Sequence, residues 1–159
     1  MTALRPRTPL VAAILFVAAT ILTSAAAAHT YLDTSDPGAD AFLDAAPEEV
    51  VLTFTDPFEL RFSRFLLARV SDASDLDEED LPRLHGLASE HAPDDPDASE
   101  GAAPFTLEAD GDRPDRVTLR PERPLEPGAW VVTWNVLALD GHVMRDRLVF
   151  VVRAEDPAP

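Results

Sequence analysis

The stretch PLEPGAWVVTWNVLALDGH, from Pro124 to His142, decides the fold class of this chain. Its Pro127-Gly128 pair is a turn signal. Large apolar side chains then occupy every second position, at Trp130, Val132, Trp134 and Val136. Because successive side chains of a strand point to opposite faces, this spacing predicts a β-strand with one face in the core.

Further short apolar segments with strand-forming residues lie on both sides of this stretch. They are EVVLTFT at 49–55, Phe62 to Val70, Phe105 to Glu108, Val117 to Leu119, and Leu148 to Val152. Prolines and turn signals such as DGDRPD separate them, and one or two helical turns are expected near Pro37 to Leu43. Several short strands joined by turns predict an antiparallel β-sandwich or barrel.

The first 28 residues have the organisation of a secretory signal peptide. Arg5 and Arg7 precede an apolar run from Leu10 to Leu22, and Ala26 to Ala28 form a small-residue cleavage site. An uncleaved membrane anchor is the alternative, because the 19 residues from Leu10 to Ala28 are long enough to span a bilayer. The alanine-rich end favours cleavage, which predicts a domain in the periplasm or at the cell exterior.

Residues 29–159 then form a single domain of common size, which we expect to be monomeric. The chain has no cysteine, so the domain must be stabilised by packing rather than by disulfides. The formal net charge of −16 becomes −18 when the two leader arginines are removed, since the leader contains no acidic residue. Such an acidic protein is not expected to bind nucleic acid.

The segment from Ser71 to Ala103 contains eleven acidic residues and one basic residue, Arg83, with no sustained hydrophobic period. This composition predicts an acidic, flexible loop inserted in the domain. The segment also contains His85 and His91, which could form a second, weak metal site or be simply solvated. The sequence leaves both interpretations open.

Asp140 and His142 are two residues apart, so both side chains can lie on the same side of an extended backbone. Cleavage after Ala28 would make His29 the first residue, with a free α-amine and an imidazole able to chelate one metal ion. Three nitrogens and one carboxylate oxygen are a tetragonal set that suits Cu(II), with Zn(II) lower in the affinity order.

At these residues the sequence resembles the copper-resistance protein CopC family. LDTSDPGADAFLDAAPEEVVLTFTDP, at 32–57, is similar to the family's opening S-x-P segment and its V-x-L-x-F-S-E-P strand. The stretch at 124–142 is similar to P-L-x-x-G-x-Y-x-V-x-W-x-V-x-S-x-D-x-H, with Trp130 and Ala138 replacing tyrosine and serine. The family's glycine after D-x-H is absent, and VMRDRL follows instead.

The resemblance implies an all-β, cupredoxin-like or Ig-like Greek-key sandwich or barrel. It implies Cu(II) ligation by His29, Asp140 and His142, with Asp56 of FTDP as a neighbouring carboxylate that supports the site. Some family members hold Cu(I) in a methionine-rich segment. Met144 is the only methionine after the leader, so a separate Cu(I) site is not expected.

These features predict an exported protein, not an enzyme, that binds the copper ion for sequestration, resistance or transport. A membrane copper transporter is a candidate partner. One alternative is a histidine-brace copper oxidase of the polysaccharide monooxygenase type, which oxygen-dependent cleavage of chitin or cellulose would reveal. Another is a metal-free Ig-like binding module, which equilibrium dialysis against Cu(II) would distinguish.

Overall fold

The structure, a computed structural model, describes residues 30–73, 76–91 and 101–154. The described chain contains eight strands, one α-helix, and a short 3-10 helix, Glu78–Asp80, that leads into the α-helix. The strands are β1 Leu32–Asp36, β2 Ala41–Leu43, β3 Val50–Phe54, β4 Phe58–Ser71, β5 Phe105–Ala109, β6 Arg116–Pro121, β7 Gly128–Ala138 and β8 Val143–Val152. The helix α1 is Leu81–Ala88.

The strands form two four-stranded sheets. The first sheet has the order β1-β3-β6-β5, and the second has the order β2-β8-β7-β4. All pairs are antiparallel except β2 with β8, which is parallel. This two-sheet architecture confirms the predicted all-β fold, and each of the segments predicted as strands lies within or overlaps an observed strand.

The main core lies between the two sheets and is organised by β7. Four alternating side chains of β7 are buried: Trp130, Val132, Trp134 and Val136. They form one cluster with buried residues of β3, β6 and β8. Full burial of a large apolar side chain stabilises a domain by about 1.5–3 kcal/mol. The alternating pattern therefore predicted correctly both the strand and the face that it buries.

The acidic segment is not wholly a loop, because its central part folds into α1. Leu84 and Ala88 are fully buried against the outer face of the second sheet, in a cluster separate from the main core. The acids of LDEED start the helical segment: the Asp77 carboxylate accepts from the Glu79 N–H, and the Asp80 carboxylate accepts from the Asp77 N–H. The loop prediction was wrong at 78–88, because a two-turn helix repeats its apolar spacing too few times to show a period.

The helix expected near Pro37 to Leu43 is absent from this described region, where the chain forms a turn and then β2. Asp40 has a positive φ of 61°, which a continuing right-handed helix does not allow. Its N–H donates to the carbonyl of Val149, and β2 then pairs with β8. Pairing with the end of the chain therefore overrides the local helical tendency.

The predicted signal peptide, residues 1–28, lies outside the described residues, as does His29. Within the part of the chain that the structure describes, no helix has the length and apolar character needed to cross a membrane. The predicted boundary between leader and domain therefore stays a prediction.

Candidate metal site

Asp140 and His142 lie in the tight turn that joins β7 to β8. The turn is closed by two backbone hydrogen bonds, from Gly141 N to Ala138 O at 2.9 Å and from Ala138 N to His142 O at 2.8 Å. Gly141 has a φ of +89°, a left-handed conformation that glycine adopts without a steric penalty. The glycine of LDGH thus allows the chain to reverse between its two candidate ligands.

The turn brings the two side chains into direct contact, as their spacing predicts. Asp140 Oδ1 accepts a hydrogen bond from the backbone N–H of His142 at 3.0 Å. Its other oxygen, Oδ2, lies 3.1 Å from His142 Nδ1. The imidazole is 65% exposed and the carboxylate 21% exposed, so the pair is open to an ion from solvent while the carboxylate is held in place.

The separation of these two donor atoms is compatible with a shared metal ion. Imidazole and carboxylate ligands bind first-row metals such as zinc at about 2.0–2.2 Å, which places neighbouring donors about 3 Å apart at a right angle. The observed 3.1 Å between Nδ1 and Oδ2 is close to that value. His142 and Asp140 therefore supply one nitrogen and one oxygen with suitable spacing, and a complete site needs further donors.

The beginning of the described chain is fixed to the turn between β3 and β4. Thr55 N donates to Tyr31 O at 2.8 Å, and Tyr31 N donates to Thr55 Oγ1 at 3.1 Å. Thr30 is buried, with 1% of its surface exposed. The residues that directly follow His29 in sequence are therefore anchored beside Asp56, the carboxylate of FTDP.

The FTDP turn and the DGH turn lie at the same end of the sandwich. Phe58, the first residue of β4, pairs with Ala138, the last residue of β7. Asp56 precedes the first of these residues by two positions, and Asp140 follows the second by two positions. The first described residues, the Asp56 turn and the Asp140–His142 pair therefore lie at one end of the sandwich.

An aromatic cluster fills the core near this end. The ring centroids of Phe54 and Phe58 are 5.1 Å apart, those of Phe54 and Trp134 are 5.9 Å apart, and those of Phe58 and Phe65 are 6.1 Å apart. Met144 packs against the same core, as its apolar character indicates. Phe54 and Phe58, which flank the FTDP turn, are thus packed against each other and against the core.

The two histidines of the acidic segment have separate partners. His85 Nε2 lies 2.8 Å from Asp40 Oδ1, which joins α1 to the turn before β2. His91 Nδ1 lies 3.2 Å from the carbonyl of Leu87 at the end of the helix. Nothing in the local sequence indicates the contact between His85 and Asp40, because the two residues are brought together only by the packing of α1.

Within the described ranges, no group of three or more His, Cys, Asp or Glu side chains is arranged to hold a metal ion.

The side chains with clearly shifted pKa values, Asp80 and Arg120, lie away from the DGH turn. The hydrogen bond from Arg83 lowers the pKa of Asp80, helped by the Asp77 backbone. The hydrogen bond and charge of Glu108 raise the pKa of Arg120, and the charge of Glu49 adds to this.

Comparison with known proteins gives independent evidence on the family and the fold of this chain. A family model described as CopC domain matches residues 32–153. The chain is 24% identical to selenomethionine PcoC, a copper resistance protein from Escherichia coli, with a TM-score of 0.55 over 77% of this chain and 99% of that one. No curated protein matches the chain.

Two other solved structures are similar. CopC from Methylosinus trichosporium OB3b is 20% identical, with a TM-score of 0.57 over 82% of this chain and 100% of that one. A second structure of PcoC, described as a methionine-rich copper resistance protein from Escherichia coli, is 25% identical, with a TM-score of 0.55 over 79% of this chain and 100% of that one. The described β-sandwich is therefore the fold of these copper resistance proteins.

Proposed function

The chain belongs to the CopC domain family, and on that premise we propose that it is an exported protein that binds one Cu(II) ion and sequesters it or passes it on. The family and the structural neighbours support its assignment as a copper resistance protein. The observation that carries the finer proposal is the Asp140–His142 contact, at the end of the sandwich where the first described residues, Thr30 and Tyr31, lie.

His29 supplies the donors that the described residues lack. If it is the first residue of the mature protein, its α-amine and imidazole bind one metal ion as a chelate. Thr30 is buried and Tyr31 is bonded to Thr55, so the backbone directly after His29 is fixed before any metal binds. An anchored chelate loses little conformational entropy on binding.

His142 contributes a third nitrogen, and Asp140 contributes an anionic oxygen. Imidazole, amine and carboxylate donors in this proportion suit Cu(II). Soft thioether ligands would suit Cu(I), but after the leader Met144 is the only methionine, and it packs on the core. Asp56 orients or neutralises the site from the neighbouring turn, as carboxylates around metal ligands commonly do.

This site fits a carrier better than a catalyst. An anionic ligand from Asp140 stabilises the oxidised copper ion. Because the imidazole of His142 is exposed, a copper ion bound there is accessible for transfer to another protein. The cargo is taken up and released outside the cytoplasm, with a membrane copper transporter as the candidate partner.

The experiment compares two versions of the mature protein that differ by one residue. The first begins at His29, and the second retains Ala28, which converts the α-amine of His29 into an amide. Each is titrated with Cu(II) and followed by electron paramagnetic resonance. We expect the protein that begins at His29 to bind one Cu(II) tightly and the protein that retains Ala28 to lose this site; equal affinity would refute the role of the amine.

A further inference from the structure

The first described residue, Thr30, carries a buried hydroxyl group. Only 1% of the residue is exposed, and its Oγ1 has no hydrogen-bond partner among the described residues. Most buried hydroxyl groups in folded proteins are hydrogen-bonded, and those that are not require an explanation, such as a role at a functional site. Valine has nearly the shape of threonine and would fill this position without an unsatisfied polar atom. Packing of the domain therefore does not explain the hydroxyl of Thr30.

The backbone places this hydroxyl opposite Asp56. Tyr31 and Thr55 are joined by two hydrogen bonds, of 2.8 and 3.1 Å, which extend the antiparallel register of β1 and β3 by one residue. The next pair in the same register is Thr30 with Asp56. Directly opposite side chains of an antiparallel pair lie on the same side, with Cβ atoms about 4.5–5.5 Å apart. Thr30 and Asp56 are therefore neighbours across the pair.

The carboxylate of Asp56 is available as an acceptor. The residue is partly buried, and within the described ranges its carboxylate takes part in no hydrogen bond or ion pair. Asp140, another acid at this end of the sandwich, already accepts from the backbone N–H of His142. A threonine hydroxyl donates one hydrogen bond, and a carboxylate accepts several. Thr30 and Asp56 thus supply a complementary donor and acceptor.

Both residues adjoin the proposed chelate. Thr30 directly follows His29 in the sequence, and Asp56 is the carboxylate that we propose to orient or neutralise the copper site. Carboxylates that act on metal ligands are themselves commonly held by hydrogen bonds, which fix their direction. When the cation and its ligands draw the Asp56 carboxylate toward His29, the opposite hydroxyl of Thr30 can hold it in that direction.

We propose that Thr30 is a positioning residue of the copper site, whose hydroxyl donates a hydrogen bond to the Asp56 carboxylate when the ion is bound and so orients that carboxylate toward His29. The inference rests on the proposed Cu(II)-binding function. It assigns the hydroxyl two opposite effects: without copper it is an unsatisfied buried group that lowers stability, and with copper it strengthens binding.

These opposite effects distinguish a positioning role from a structural one. The test substitutes Thr30→Val in the protein that begins at His29, and it measures the melting temperature without metal and the Cu(II) affinity. We expect the melting temperature to be equal to or higher than that of the unmodified protein, because the hydroxyl has no partner to lose. The Cu(II) affinity should fall by about tenfold, as is typical when a partner of a metal-site residue is removed.

Thr30→Ser is the conservative variant, because it keeps the hydroxyl. It should retain the Cu(II) affinity and the electron paramagnetic resonance spectrum of the unmodified protein. A lower metal-free melting temperature in Thr30→Val would overturn the proposal, since it would show that the hydroxyl already stabilises the metal-free fold. Equal losses of affinity in Thr30→Val and Thr30→Ser would also overturn it.

A double variant tests whether Thr30 acts through Asp56. In a protein that already carries Asp56→Ala, the further change Thr30→Val should alter the Cu(II) affinity by less than about twofold, because its acceptor is gone. A further loss of about tenfold would show that Thr30 acts independently of Asp56, and would refute the proposed hydrogen bond.

Thr133 provides the matched control, because its hydroxyl is also buried and has no partner among the described residues. It lies in the middle of β7, five residues before Ala138, or about 17 Å along the strand from the DGH end. Thr133→Val should leave the Cu(II) affinity unchanged. A loss as large as that of Thr30→Val would indicate a general effect of buried hydroxyl groups and would overturn the proposal.

The same titrations separate a failure of this inference from a failure of the proposed function. If the unmodified protein does not bind Cu(II), the proposed function is refuted and the inference is refuted with it. If the unmodified protein binds Cu(II) and Thr30→Val binds it equally tightly, the inference alone is refuted.

Discussion

Replacing Leu84 by alanine tests whether α1 is an integral part of the domain. Leu84 is fully buried between the helix and the second sheet, in the cluster that includes Ala88, Val131 and Val149. Truncation of a fully buried leucine removes its packing and leaves a cavity, at a cost of about 2–5 kcal/mol. For a domain of this size each kcal/mol lowers the melting temperature by roughly 3–4 °C.

We therefore expect Leu84→Ala to lower the melting temperature by roughly 6–20 °C, measured by circular dichroism of the metal-free protein. The matched control is Leu87→Ala, which removes the same atoms from the same helix at a partly exposed position outside the buried cluster. It should cost less than about 1 kcal/mol. Equal, small effects of the two substitutions would show that α1 does not pack on the sheet.

The remaining predictions concern the start of the mature protein, the oxidation state of the bound copper and the glycine that begins β7. Mass spectrometry of the exported protein should give a mature sequence that begins at His29, whereas a product that retains Ala28 would remove the proposed chelate. Titration should give one tight Cu(II) site and no Cu(I) site of comparable affinity, because Met144 is the only methionine after the leader; a tight Cu(I) site would contradict the choice of ligands. Gly128→Ala should lower the melting temperature, because Gly128 has a φ of +140° and an added Cβ would collide with the carbonyl oxygen of Ser71; an unchanged melting temperature would refute this steric account.

Six of the eight described strands, β3 to β8, were predictable because each carries its own apolar signal, whereas β1 and β2 were not predicted as strands. The alternation from Trp130 to Val136 reports one buried face of one strand, and it does so without knowledge of the neighbouring strands. Helix α1 gave no such signal, since its eight residues bury only Leu84 and Ala88 completely. The parallel pairing of β2 with β8 was also hidden, because it joins segments more than 100 residues apart.

In the candidate site, too, the features with a local sequence signal were predictable and those that depend on distant strand pairing were not. The contact between Asp140 and His142 follows from their spacing and from the glycine between them. The placement of Asp56 at the same end depends on the pairing of Phe58 with Ala138, which no local pattern contains.

The central claim, that Cu(II) is held at the DGH turn and not in the acidic segment, is tested most directly by electron paramagnetic resonance on two variants. The protein that begins at His29 is prepared with His142→Ala, or with His85→Ala and His91→Ala together, and each is loaded with one equivalent of Cu(II). We predict that His142→Ala loses the tetragonal copper signal of the unmodified protein and that the double variant keeps it. An unchanged signal in His142→Ala, with loss of that signal in the double variant, would contradict the account and place the copper in the acidic segment.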